Sequence, residues 1–264
     1  MNKYERRTIR LLDMLQLNKR LDVKTVADNL EISEATARRF FSQLEEEGKV
    51  IRVHGGVQLA QQLGYDYSFR VQASHRQDQK TLIGAGAAGL VNNNDRIFLD
   101  SGTTVLKLAE TLSVKLQTGE LKGIVVLTNS ISHVETVARW CKVILVGGEI
   151  RAERLDVCGS VAEKTLMMFH LDSAFLGADA VNLPGGCMTT DERTSTMNEI
   201  VVERAEKAYV LVDSSKFNKT SFMSYATIEE IDTILTDSGI SKDTLKEYQE
   251  AGAHIEVARP SNKV

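Results

Sequence analysis

The sequence predicts an α/β protein in two parts. A small helical head spans residues 1–57, a linker spans 58–73, and a larger domain of residues 74–264 is built on a mainly parallel sheet. Three observations predict this. Short amphipathic helical patterns crowd the first fifty residues and run into a β-rich pair of segments with glycines. From Asp95 onward, seven short apolar runs are interleaved with helical patterns. Those runs end, one after another, in polar or glycine-bearing turns.

In the head, residues 5–17 read as a helix with Ile9, Leu11, Leu12 and Leu15 on one side and Arg6, Arg7 and Arg10 on another. Val23, Val26, Ala27 and Leu30 share one face of a second helix. After the tight link Glu31-Ile32, Ser33 is placed to cap a third helix, Glu34 to Glu47, which buries Ala37, Phe40, Phe41 and Leu44 and ends at Gly48. Helix, short turn and capped helix make a helix-turn-helix. The segment Lys49 to Val57, with Arg52, His54, Gly55 and Gly56, has the strand, turn and positive edge of a wing. Such a third helix enters the major groove by its N-terminal end. Ser33 and Thr36 then reach phosphates or base edges, Arg38 and Arg39 reach phosphates or guanine edges, and Arg52 lies over phosphates. His54 is either a phosphate donor or a plain wing residue.

The larger domain opens with a helix from about Ser74 to Val91, Lys80 near its start. Strands follow at 96–100, 123–128, 142–147, 173–178, 208–213, 232–236 and 254–258, with helices near 103–112, 130–140, 159–169, 191–206 and 241–250. This alternation calls for a parallel sheet covered on both faces, and such sheets bind ligands at their C-terminal strand ends. The ends are Asp100-Ser101-Gly102-Thr103-Thr104, Thr128-Asn129-Ser130, Gly147-Gly148-Glu149, Gly177-Ala178-Asp179 and Asp213-Ser214-Ser215-Lys216, with the polar segment Gly185–Glu192 between strand and helix. Free N–H groups at a helix start beside Ser101, Thr103 and Thr104 suit a phosphate, with Lys216 as countercharge. Asp100, Asn129, Asp191 and Glu192 suit sugar hydroxyls as acceptors. A polyol phosphate matches this mixture. Each residue also has a plainer use: Asp100 as a helix cap, Thr128 and Asn129 as a turn, Lys216 as a solvated lysine.

Composition bounds the rest. The chain has 264 residues, 42% apolar and 26% charged, with net charge −4, which by itself argues against nucleic-acid binding. The distribution is uneven: residues 1–60 carry eleven basic against nine acidic residues, leaving the excess of acid in the body. The charged N-terminus shows no secretory signal, and no apolar run is long enough to span a bilayer. Cys141, Cys158 and Cys187 are odd in number and widely spaced, as suits a reducing cytoplasm, and show no metal-ligand spacing. No metal or cofactor is expected.

The chain resembles the DeoR family of bacterial transcription regulators along nearly its whole length. The resemblance rests on Ser33-Glu34-Ala35-Thr36-Ala37-Arg38-Arg39, Leu44-Glu45-Glu46-Glu47-Gly48 and Arg52-Val53-His54-Gly55-Gly56 in the head. In the body it rests on Phe98–Thr104, Leu127-Thr128-Asn129-Ser130, Gly147-Gly148, Phe175-Leu176-Gly177 and Val212–Phe217. It implies a winged helix-turn-helix joined to a sensor similar to ribose-5-phosphate isomerase and CoA-transferase folds. It further implies a repressor of carbohydrate-catabolism operons that responds to phosphorylated sugars as a dimer or tetramer. By position, Ser101, Gly102, Thr103 and Thr104 would hold the phosphate, and Lys80, Asp213 and Lys216 would form the effector site or its support, alongside Thr128 and Gly177. Two departures stand out. Ala37 and Phe40 occupy the aliphatic and aspartate positions of the family's recognition helix, and Asn198 stands where a lysine is common. The alternative is a sugar-phosphate isomerase-like enzyme with a fused DNA-binding head, using Asp100, Asp191, Glu192 or Lys216.

Overall fold

The computed structural model describes residues 3–18, 20–46, 49–53, 55–59 and 69–259. The chain divides into two compact units, Met1–Tyr67 and Ser68–Val264.

The first unit is α1 (Lys3–Leu17), β1 (Arg20–Asp22), α2 (Val23–Leu30), α3 (Glu34–Glu46), β2 (Val50–Val53) and β3 (Gly56–Leu59). Each helix start has a local cause. The Asp22 carboxylate accepts the Thr25 N–H at 2.7 Å and caps α2, while the Ser33 hydroxyl accepts the Thr36 N–H at 3.2 Å and caps α3. Leu11, Leu15, Val26, Phe41 and Leu44 form the core. The wing is the β2–β3 hairpin, and β1 adds to its far side with Leu21 opposite Val57. The three-residue β1 is too short to announce itself in the sequence. Gly56 is required by it, since a Cβ there would stand 2.2 Å from the Leu21 carbonyl oxygen. Gly48, expected to end α3, and His54 lie outside the described residues.

The second unit begins with α4 (Phe69–Ser74), a helical turn inside the segment expected to be linker, and α5 (Gln77–Ala87), shorter than the helix expected over 74–91. Between them Arg76 takes a left-handed conformation, φ 50°, which forces the break. Then come β4 (Arg96–Leu99), α6 (Thr103–Gln117), β5 (Val125–Thr128), α7 (Ile131–Val137), β6 (Lys142–Leu145), β7 (Glu149–Arg151), β8 (Asp156–Cys158) and α8 (Ser160–Leu166). The chain finishes with β9 (Ser173–Leu176), β10 (Ala180–Asn182), β11 (Gly186–Thr189), α9 (Glu192–Arg204), β12 (Ala208–Leu211), β13 (Met223–Ala226), β14 (Thr233–Thr236), α10 (Lys242–Glu250) and β15 (Ile255–Val257). A single 3₁₀ turn, Ser214–Lys216, follows β12.

The seven strands expected from the sequence form one parallel sheet, in the order β15-β14-β12-β9-β4-β5-β6. Alternation across the pleat fills two cores. Ile97 and Leu99 face one with Ile83, Val105 and Leu108, and Phe98 faces the other with Leu176 and Met197. The antiparallel sheet β10-β11-β13 and the hairpin β7–β8 were not expected. The segment Gly185–Glu192, read as polar, contains the fully buried strand β11; its glycines and threonines hide the apolar pair Cys187 and Met188. Among the described residues, no helix is long and apolar enough to cross a membrane.

Helices α5 and α6 meet backbone to backbone at Gly84, where a Cβ would lie 2.5 Å from the Lys107 carbonyl carbon. Gly84→Ala should therefore destabilise the protein by about 1–3 kcal/mol in urea denaturation. Gly86→Ala, on the exposed side of the same helix with its nearest neighbour at 3.4 Å, should be neutral or stabilising. Equal midpoints for the two variants would contradict the close approach.

Candidate functional site

In the head, α3 buries Ala37, Phe40, Phe41 and Leu44, so Thr36, Arg38, Arg39 and Gln43 are left to its outer faces. The Ser33 and Thr36 hydroxyls lie 2.8 Å apart in the cap, with Ser33 exposed and Thr36 half-buried. Arg38 pairs with Glu34 at 3.5 Å, a solvent-exposed i,i+4 contact that holds it weakly. Arg52 differs from expectation. Its backbone N–H donates to Glu45 at 2.9 Å, its Nε lies 3.4 Å from the same carboxylate, and its guanidinium also reaches Ser42. It ties the wing to α3 rather than standing free over phosphates. Arg39 has no acidic partner among the described residues. With Arg7, Thr36 and Gln43 it rims an open groove of about 370 Å³ floored by Tyr4, Ile32 and Phe40. The unusual Phe40 is explained by its neighbour: it meets Tyr4 edge-on, centroids 5.4 Å apart at 89°, and so fastens α3 to α1.

In the body, β4 delivers Asp100 to the start of α6. Gly102 caps this fifteen-residue helix without a side-chain hydrogen bond, leaving its first N–H groups without a side-chain acceptor. Thr103 and Thr104 lie buried beside them. Asp100 is buried, and its Oδ2 accepts the Gly177 N–H at 3.1 Å while Oδ1 has no partner. Burial pushes its carboxyl up to about 6, with Asp156 and Asp179 adding to the shift and the Gly177 and Ser101 amides opposing it. Asn129, at the end of the adjacent β5, is also buried with its Oδ1 unpartnered.

Several residues expected to meet ligand are committed elsewhere. The Thr128 hydroxyl donates to the Leu99 carbonyl at 2.6 Å and accepts the Ser130 N–H at 3.0 Å, so it builds the turn and has no proton left to offer. Gly177 uses its N–H on Asp100 and its carbonyl on the Tyr225 hydroxyl. Asp191 caps α9 through the Thr194 N–H and bonds Arg151 at 2.5 Å. Burial opposes its ionisation, but Arg151 and Thr194 hold the carboxyl down at about 2. Glu192 stands exposed on the first turn of α9. Ser101 donates its proton to Asp156 at 3.2 Å, so its oxygen is presented as an acceptor.

The third side is cationic. Lys80 is buried on α5, its ammonium donating to the Gln72 carbonyl at 2.6 Å. Burial lowers it to about 8 against the opposing pull of Asp213, with Lys216, Lys107 and Arg76 lowering it further. Asp213 is buried, accepts the Ser215 N–H at 3.0 Å and lies 3.5 Å from Arg76 Nε, with Lys216 half-buried at the end of the same 3₁₀ turn.

Sequence reasoning missed Arg151, Asp156 and His133. Arg151 grips both oxygens of Asp156, at 2.8 and 2.6 Å, and reaches Thr194 at 3.1 Å. Its position after Gly147-Gly148-Glu149 was the available signal, but nothing local marks the ion pair. His133 is fully buried on α7 with neither ring nitrogen hydrogen-bonded. Burial holds it neutral, at about 3, against the backbone of Gly102 and Leu99.

Residues 75–238 match the profile of the DeoR C terminal sensor domain, and residues 7–63 match the DeoR-like helix-turn-helix domain. The chain belongs to the DeoR family. It is 31% identical to the lactose phosphotransferase system repressor of Lactococcus lactis subsp. lactis, over 95% of this chain and 97% of that one. It is likewise 31% identical to the transcriptional repressor GlcR of Bacillus subtilis (strain 168), over 88% of each chain. Among solved structures, ribose 5-phosphate isomerase from Methanocaldococcus jannaschii is similar with TM-score 0.41 and 22% identity, covering 53% of this chain and 54% of that one. As a DeoR-family member the protein is a DNA-binding transcription regulator with a sensor domain, and the enzyme alternative yields to that reading.

The raised Asp100 carboxyl has a consequence for this regulator's stability. A carboxyl that ionises at about 6 when folded, against 3.8 otherwise, penalises the folded state above that range by about 3 kcal/mol. The penalty fades as pH falls from 6 to 4, because the folded protein takes up the proton first. Asp100→Asn should raise the melting temperature at pH 8, with the gain shrinking to nothing near pH 4. A gap independent of pH would contradict the assignment.

Proposed function

We propose that this DeoR-family regulator represses a carbohydrate-catabolism operon and that a phosphorylated sugar bound in the second unit controls its hold on operator DNA. The observation that carries the reading is the start of α6. It carries N–H groups without a side-chain acceptor and two buried threonines, and the ends of β4 and β5 beside it carry the unpartnered oxygens of Asp100 and Asn129; Lys80 and Lys216 are the cations we assign to the same site. A phosphoryl group takes the N–H groups of Gly102, Thr103 and Thr104 and the lysine charges. Sugar hydroxyls then donate to Asp100 Oδ1 and Asn129 Oδ1, two acceptors that are costly to bury unmet. Ser101 contributes an acceptor oxygen. Both relatives named above are repressors, and one of them is the repressor of a lactose phosphotransferase system, which supports this reading.

On the DNA side, α3 lies in the major groove with Arg39 as the base-reading cation, and Ser33, Thr36 and Arg38 on phosphates or base edges. Arg52 holds the wing against α3 through Glu45 and Ser42 and so positions it beside that helix. A homo-oligomer, dimer or tetramer, places two heads on paired half-sites. The sugar phosphate acts by its different affinity for the DNA-competent and incompetent arrangements.

Gel shift with the DNA upstream of the regulated operon tests both halves. Arg39→Ala should weaken operator binding by about 1–3 kcal/mol and relax sequence preference. A panel of hexose and pentose phosphates should contain one that changes operator affinity and raises the melting temperature. Lys216→Ala and Thr104→Val should lose both effects. An operator complex indifferent to every sugar phosphate, or undiminished by Arg39→Ala, would overturn the corresponding half.

A further inference from the structure

The helical turn α4 is the first element of the second unit, and three contacts dock it there. The Phe69 N–H donates to the Glu153 carbonyl at 2.9 Å, and the Lys80 ammonium donates to the Gln72 carbonyl at 2.6 Å. The third is indirect. Arg76, at the corner between α4 and α5, places its guanidinium 3.5 Å from the buried Asp213 while its backbone sits at φ 50°, ψ 44°. A non-glycine residue holds this left-handed conformation only where its surroundings impose it. Here the pairing with the buried Asp213 accompanies that backbone conformation.

We propose that Arg76 is a positioning residue that links occupancy of the effector site to the docking of α4. The proposal rests on the phosphorylated-ligand reading above. Lys80 has three N–H donors, of which Gln72 takes one; the other two have no partner among the described residues. A phosphoryl group at the start of α6 takes these and immobilises the ammonium, and with it the Gln72 carbonyl that the ammonium bonds. That response requires the α4–α5 corner to stand where Gln72 faces Lys80, which is what the Arg76–Asp213 pair enforces. Ligand binding therefore tightens α4, the segment that leads back toward the DNA-binding head.

Hydrogen–deuterium exchange on the full chain tests this, with glucose 6-phosphate, fructose 1-phosphate, fructose 6-phosphate and ribose 5-phosphate as probes. In the wild-type protein a binding sugar phosphate should slow exchange over 101–108 and also over 69–76, the latter by about tenfold, as holding one charge-assisted bond in place provides. Arg76→Gly suits the left-handed backbone, so it removes the side chain without straining the fold. In this variant the slowing over 101–108 should persist and that over 69–76 should vanish, and Arg76→Lys should restore part of it. Absence of slowing over 101–108 with every probe overturns the ligand reading. Slowing there without slowing over 69–76 in the wild type overturns the link to α4. Full slowing of both in Arg76→Gly overturns the role of Arg76.

Discussion

Asp156 is 1% exposed beside the end of β5, and its carboxylate takes two hydrogen bonds from Arg151 and one from Ser101. Arg151 spends its remaining reach on Asp191 and Thr194 at the start of α9. This buried charge cluster joins segments about forty to ninety residues apart: the turn before α6, the β7–β8 hairpin and α9. Burying such charges costs desolvation that apolar packing would avoid. What the cluster supplies is direction. It sets the Ser101 hydroxyl as an acceptor, holds the hairpin against the sheet end and fixes the first turn of α9. Ser101, Asp156 and Asp191 are satisfied within the cluster, so none of them turns to the open N–H groups at the start of α6.

The same cluster shows where the sequence was legible and where it was not. The parallel sheet was readable because its inner strands are buried on both faces, as runs such as Ile97-Phe98-Leu99 with no polar interruption, while the edge strands β6 and β15 are partly exposed and were read from their place in the alternation. The head was readable because its signals are local: a one-turn cap at Ser33 and helical spacing of Ala37, Phe40, Phe41 and Leu44. Strand-end position correctly gathered Asp100, Asn129, Lys216 and the threonines of α6 at one edge. It could not say which would be spent. Thr128 goes to the Leu99 carbonyl and Asp191 to Arg151, and both partners are remote in sequence. Arg52 was read as a DNA contact from its charge, yet Glu45, seven residues earlier, takes it. Strand β11 and turn α4 were hidden for the opposite reason, since short elements with glycine or polar residues carry no period long enough to detect.

Phe40 makes the related point that a departure from a family pattern is decided by what it touches. Losing a carboxylate from α3 removes a possible clamp on the neighbouring arginines. Gaining an aromatic ring gives Tyr4 of α1 an edge-to-face partner. The recognition helix is held from beneath by packing instead of from the side by charge. Arg39 is left without an acidic neighbour among the described residues, so its full charge is available outward. The exchange costs no fixing of α3 and increases the positive field of that surface.

Charge is divided across the start of α6 in a way that constrains any occupant of the rim. Toward β12 and α5 stand Lys80 and Lys216, with Asp213 as a buried counterion that Arg76 pairs from the α4–α5 corner. Toward β5 and the hairpin stand Asp100, Asp156 and Asp191, with Arg151 committed to two of them. An anion placed on the second side would meet Asp100, whose carboxyl already ionises reluctantly; on the first side it meets surplus cations. On the proposed reading, a ligand with one anionic end and several hydroxyls takes one orientation, anion toward Lys80 and hydroxyls toward Asp100 and Asn129. A neutral sugar would leave Lys80 to its burial, and a bare phosphate would leave the two acceptors unmet. The proposed site therefore selects, through that division, a molecule carrying both groups before any contact specific to one sugar is considered.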